Sequence, residues 1–214
     1  MAEVACSRLF QSFHERNSVR KLLLIGSCLA MAAFGISACG DSESDEEKIA
    51  SVIEDSATLS DPADCEALNT IAFLEQSEFE EGEEAVKSCE EDAEDTSGDP
   101  ETVTVSEVKI NGSSATAEAA LVGGTFDGQT IEIGVVEEDG DWKVNQFESF
   151  VVFDREKLLA GFEQSIEEES EGGEEDEVTS CILDEFEAAS DEELEEAILS
   201  PDAFIELAEG CIEA

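Results

Sequence analysis

The chain has no tyrosine and a single histidine, His14. The commonest general base and metal ligand is nearly missing, and the phenolic proton donor is missing altogether. Proline occurs three times and tryptophan once. Cations are scarce: ten Lys and Arg stand against 57 Asp and Glu, a net charge of −47 at pH 7. Phosphate backbones and anionic headgroups repel so acidic a chain, which excludes nucleic acid and charged lipid surfaces as direct electrostatic partners. The seven cysteines include no C-x-x-C pair, which argues against a redox or zinc-type site. Long apolar runs are also missing. The longest apolar stretch, Leu22 to Ala38, covers 17 residues interrupted by Gly26, Ser27, Gly35 and Ser37. That is the lower limit for a bilayer span.

This short stretch organises the rest. Arg20 and Lys21 precede it, and it ends in Ile36-Ser37-Ala38-Cys39, followed by Gly40 and Asp41. A positive flank, an apolar run and small residues before a cut make a signal peptide. A cysteine directly after Ser37-Ala38 is what the lipoprotein pathway needs, because its thiol accepts diacylglycerol. The stretch resembles a bacterial lipoprotein signal with its lipobox. Cleavage between Ala38 and Cys39 would leave Cys39 as an acylated N-terminus. Two acyl chains, with a third of palmitate type on the amine, satisfy the need of stable anchoring for more than one chain. The expected location is the outer face of the bacterial cytoplasmic membrane, reached through that anchor. Residues 1–18 are long for an n-region, and Val19 is an alternative start, since a GUG codon initiates as Met.

Residues 39–214 are 176 in number, enough for one ordinary domain and a small appendage. The segment before Cys39 holds four of the ten cations and two of the 57 acids, leaving six against 55, a net of −49. Such an excess also suits a protein adapted to salty surroundings. His14 leaves with the signal peptide, so histidine triads and most zinc or haem sites cannot be built. The expectation is no catalytic residue, no metal and no cofactor. Cys6 and Cys28 leave with the same segment. Cys65, Cys89, Cys181 and Cys211 then form an even set in an oxidising compartment. Of the three pairings, Cys65–Cys89 with Cys181–Cys211 is expected, because each pair sits within one structural unit. Each bridge would contribute roughly 3–4 kcal/mol through loop closure.

Ser44-Asp45-Glu46-Glu47 reads as a capping box opening a helix with Ile49, Val52 and Ile53 on one face. Asp61-Pro62 reads as N-cap and first turn of a second helix carrying Cys65 and Leu68. Thr70 to Gln76 adds an apolar turn. Glu83 to Asp92 reads as a third helix, with Ala85, Val86 and Cys89. From Thr102 the apolar period becomes two. Its phase slips at Ser106-Glu107, which predicts a β-bulge. Asn111-Gly112 and Asp139-Gly140 mark turns. Ala115, Ala117, Ala119 and Leu121 form one inward row, and Ile131, Ile133 and Val135 the next. Four antiparallel strands in a meander follow. Asp154 caps a helix over Arg155 to Glu169. Ser170 to Asp176 is an acidic linker. Three short helical patterns close the chain, the second opened by a capping box at Ser190 to Glu193.

Cys65-Glu66-Ala67-Leu68 leading to Phe73-Leu74-Glu75, the paired Cys89, the alanine row after Asn111-Gly112 and Glu138-Asp139-Gly140-Asp141-Trp142-Lys143-Val144 together resemble the NTF2-like superfamily, in particular lipoproteins of actinobacterial type. The likeness covers about residues 44–152. It implies an α+β fold, a curved antiparallel sheet packed on N-terminal helices around a pocket, with dimerisation through the sheet common in the family. The expected organisation is a signal peptide at 1–38, a lipidated tether at 39–44, an NTF2-like domain at 45–169, a linker at 170–176 and a disulfide-stapled helical unit at 177–214. The family's isomerases and dehydratases use pocket Tyr, His and Asp. Neither Tyr nor His occurs from Cys39 onward, so that chemistry does not carry over.

Pocket candidates are Phe73, Leu74, Phe126, Ile133, Val135 and Phe147, although apolar side chains of this kind are more often ordinary core. Trp142 reads better as a cover for the sheet edge than as a stacking platform. The acidic runs Glu78–Glu84, Glu90–Asp95 and Glu167–Glu177 read as solvated charge. Asp139-Gly140-Asp141 lacks the bidentate Glu of an EF-hand. The expected function is a non-catalytic ligand-binding or scaffolding module with a small apolar ligand. One alternative is an enzyme using pocket carboxylates. Another is an acidic interaction protein binding cationic partners or wall-associated cations.

Overall fold

The structure is a computed structural model and describes residues 43–94, 96, 98–169 and 177–212. The signal peptide, the cleavage site Ala38–Cys39, most of the tether and the linker 170–176 lie outside the described residues. The described residues fall within one compact unit. Four helices precede a sheet: α1 Asp45–Ala57, α2 Asp64–Leu68, α3 Ile71–Glu78 and α4 Glu83–Asp92. The strands are β1 Thr102–Asn111, β2 Ser114–Val122, β3 Thr130–Glu138 and β4 Asp141–Val152. Then come α5 Arg155–Glu169, α6 Glu177–Ala188, α7 Asp191–Leu199 and α8 Pro201–Ile212. The fold is α+β, with one open antiparallel sheet in the order β1-β2-β3-β4.

Local chemistry accounts for most boundaries. The Ser44 hydroxyl accepts from the Glu47 amide while the Glu47 carboxylate accepts from the Ser44 amide, and Ser190 and Glu193 repeat the arrangement on α7. These contacts hold both glutamates below the usual carboxylate range, through the backbone amide first at Glu47 and the hydroxyl first at Glu193. Two expectations need adjustment. Asp61-Pro62 makes the turn before α2 rather than its first turn: the Asp61 carboxylate accepts from the Ala63 amide, and the helix starts at Asp64. The apolar turn from Thr70 is a full helix, capped by the Thr70 hydroxyl and running on to Glu78.

The sheet follows its pattern. The register of β1 on β2 shifts between Ser106 and Lys109, and Glu107 takes a φ of 51°, the backbone mark of a bulge. Asp139 and Gly140 both have positive φ, as a two-residue hairpin turn requires. Ala115, Ala117, Ala119 and Leu121 point inward beside Ile131, Ile133 and Val135. Against this face pack Ile49, Val52 and Ile53 of α1 and Leu74 of α3. Trp142 is buried in this core. Burial of each large aliphatic side chain contributes about 2–3 kcal/mol.

Cys65 is bonded to Cys89 and Cys181 to Cys211. The first bridge ties α2 to α4, the second α6 to α8. The C-terminal helices share a second core with Leu158 of α5, built from Phe186, Leu194 and Ile198, with Phe126 and Phe150 packed against it. The Arg155 guanidinium closes this junction. Its Nη2 donates to the Phe186 and Glu187 carbonyls at 2.8 and 2.9 Å, and its Nη1 lies 3.2 Å from the Asp191 carboxylate. A cation on the last carbonyls of α6 is favoured by the helix dipole.

Candidate functional site

Between the inward face of the sheet and helices α1, α3 and α4 lies a cavity of about 320 Å³. That is the lower end of the range for small-molecule sites. Its wall is mostly apolar. The sheet contributes Ala119 and Leu121 of β2, Ile133 of β3, and Val144 and Phe147 of β4. Helix α1 adds Ile53 and Ala57, and α3 adds Phe73 and Leu74. Ala119 is the smallest of the sheet residues in this wall. Phe73 and Phe147 meet edge to face with ring centres 5.0 Å apart, and Phe126 lies 6.3 Å from Phe147.

Five of the six sequence-derived pocket residues line this cavity together: Phe73, Leu74, Phe126, Ile133 and Phe147. Val135 does not. It shares their face of the sheet but pairs with Ala115 and Val144 in the filled core.

The wall has an acidic part, of which Glu78 and Asp92 fall in runs that the sequence reading assigned to solvent. Glu78, Asp92 and Asp99 all line the cavity. Glu78 is half-buried, and its carboxyl is pushed up to about 7. Burial is the main cause, the negative charge of Asp92 the second, and Glu80 adds a smaller push. The Ser77 hydroxyl, 3.4 Å from Glu78 Oε1, works in the opposite direction. A signal for the first two acids was present in the helical period. Glu78 lies four residues after Leu74 on α3, and Asp92 three after Cys89 on α4, so each ends an apolar stripe. Their neighbours in the acidic runs lie off those stripes.

The other polar groups in the wall are engaged. The Ser56 hydroxyl donates to Asn69 Oδ1 at 2.6 Å, and the Ser77 hydroxyl lies 3.3 Å from the Leu74 carbonyl. Among the described residues no cation lines the cavity. Among the described residues no group of three His, Cys, Asp or Glu side chains is gathered closely enough to hold a metal ion. The arrangement can therefore enclose a small apolar body and present it with hydrogen-bond acceptors and one carboxyl that changes charge near neutral pH.

Two supports set the wall. Gln76 of α3 receives the Phe147 amide on Oε1 at 2.7 Å and donates through Nε2 to the carbonyls of Phe147 and Leu199. It fixes α3 to β4 and to the end of α7. At Gly161 an added Cβ would collide with the Thr125 carbonyl, so glycine there lets α5 approach the loop that carries Phe126. Neither role follows from periodicity, because both depend on elements distant in sequence. No helix among the described residues is long and apolar enough to cross a membrane. No family model, no curated protein and no solved structure matches this chain.

Proposed function

We propose that the protein is a bacterial lipoprotein, held on the outer face of the cytoplasmic membrane through Cys39, whose NTF2-like domain binds a small apolar ligand without transforming it. The observation that carries the binding part is the cavity of about 320 Å³ walled by aromatic and aliphatic side chains on the inward face of the sheet. The helices-then-meander order and the bulged first strand support the NTF2-like reading. The two disulfides support an oxidising compartment outside the cytoplasm. The lipobox residues Ser37, Ala38 and Cys39 carry the anchor. Fractionation of cells producing the wild type and Cys39→Ser is the test of the anchor. The wild type is expected in the membrane fraction and the variant in the released fraction. Equal partition of the two would remove the lipid anchor from the account.

A second reading, an enzyme that uses pocket carboxylates as acid and base, is favoured by one observation. Glu78 sits near 7 in an apolar cavity that Asp92 also lines. Turnover of a hydrolytic substrate series that is abolished by Glu78→Gln, with binding retained, would establish it.

A further inference from the structure

We infer that the cavity takes a small amine: an apolar body carrying a protonated nitrogen that faces Glu78 and Asp92. The inference rests on the cavity being a ligand site and adds the charge class of what fills it.

Charge distribution is the first ground. Cys39 onward contains six cations, and each lies within reach of a carboxylate away from the cavity. Lys48 lies 3.1 Å from Asp45, Lys87 2.9 Å from Glu91 and Lys109 4.0 Å from Glu132. Lys143 lies 3.7 Å from Glu138, Arg155 3.2 Å from Asp191 and Lys157 3.0 Å from Asp127. Among the described residues the charged groups in the cavity wall, Glu78, Asp92 and Asp99, are all of one sign. A ligand with a carboxylate or phosphate head would meet only like charge.

Desolvation is the second ground. Any body that fills the cavity displaces the water that solvates Glu78. A neutral body leaves that carboxylate poorly solvated beside Asp92, or requires it to take up a proton. An ammonium group replaces the lost water with a charge-assisted hydrogen bond. The Ser56 hydroxyl hydrogen is directed at Asn69 Oδ1, and the single Ser77 hydroxyl hydrogen has the Leu74 carbonyl or Glu78 Oε1 as its acceptor. The side chains on this part of the wall thus offer acceptors rather than hydroxyl donors.

The test uses the full-length lipoprotein in nanodiscs of zwitterionic lipid and three probes of one shape, titrated by calorimetry at pH 8. These are phenethylammonium, 2-phenylethanol and phenylacetate. The cation is expected to bind about tenfold more tightly than the alcohol, the effect of one net charge-assisted contact. Phenylacetate is expected not to bind. Glu78→Gln is expected to abolish the preference for the cation over the alcohol, with a cooperative thermal melt showing that the variant is folded. Asp92→Asn is expected to weaken the cation in the same direction. Equal binding of cation and alcohol, or binding of phenylacetate, would overturn the amine assignment and leave the cavity standing as a ligand site. Binding of none of the three would overturn the amine assignment and the ligand-site reading together.

Discussion

Glu78 is the residue on which the site turns. Its folded carboxyl titrates near 7, raised from 4.5 first by burial and then by the charges of Asp92 and Glu80, against the Ser77 hydroxyl. A raised acid binds its proton more tightly folded than unfolded. The contribution of Glu78 to stability is therefore greatest below about 4.5, where both states are protonated, and is lost as pH rises through about 7. Glu78→Gln removes that dependence. The variant should match the wild type at pH 4 and melt at a higher temperature at pH 8, in paired thermal scans. A constant difference across the range would mean that Glu78 is solvated and has no part in the cavity. Gln76 makes a second residue-scale prediction. Gln76→Leu leaves the Phe147 amide and the Leu199 carbonyl without this partner, at about 1–3 kcal/mol in urea unfolding. The sequence reading missed both residues for one physical reason. A polar side chain at the end of an apolar stripe looks like a surface position until the partner elements are placed against it.

At the scale of elements the sequence was far more legible. Both capping boxes, the bulge after Ser106, the Asp139-Gly140 turn and the bounds of α4 and α5 are local features, set by side chains within a few residues. The disulfide pairs were legible because each stays within one group of helices. The extent of α3 was not. Its apolar residues stop at Leu74, while the helix runs to Glu78 and ends with Phe79 in the left-handed region at φ 56°. Ring contact of Phe79 with Phe204 of α8, centres 4.5 Å apart, places that end against a distant part of the chain. The Cys65–Cys89 bridge gives an element-scale prediction, since Cys89, Asp92 and Ala93 all bring α4 to the cavity wall. Replacing both cysteines by serine should cost about 2–4 kcal/mol. It should also weaken phenethylammonium more than the corresponding change at Cys181 and Cys211, where the bridge lies outside the wall. Equal losses of affinity would detach α4 from the site.

For the whole molecule, charge dominates. A net of −49 from Cys39 onward repels itself, and salt screens that repulsion within a Debye length of about 3 Å at 1 M against about 30 Å at 0.01 M. The melting temperature should rise across that range of sodium chloride. A melting temperature that falls would mean that the ion pairs outweigh the repulsion. The same charge bears on assembly. The outer face of the sheet carries Glu118, Glu132 and Glu148, so a dimer formed through it would set like charges together and would require salt.

The central claim is that the cavity on the inward face of the sheet holds a small molecule. Native mass spectrometry of residues 40–214, produced in an oxidising compartment, tests it most directly, alongside Ala119→Phe, which fills the space that alanine leaves open. The account predicts a discrete added mass on the wild type and none on the variant, with the variant still giving a cooperative melt. A bare wild-type mass, or the same added mass on both proteins, would contradict it.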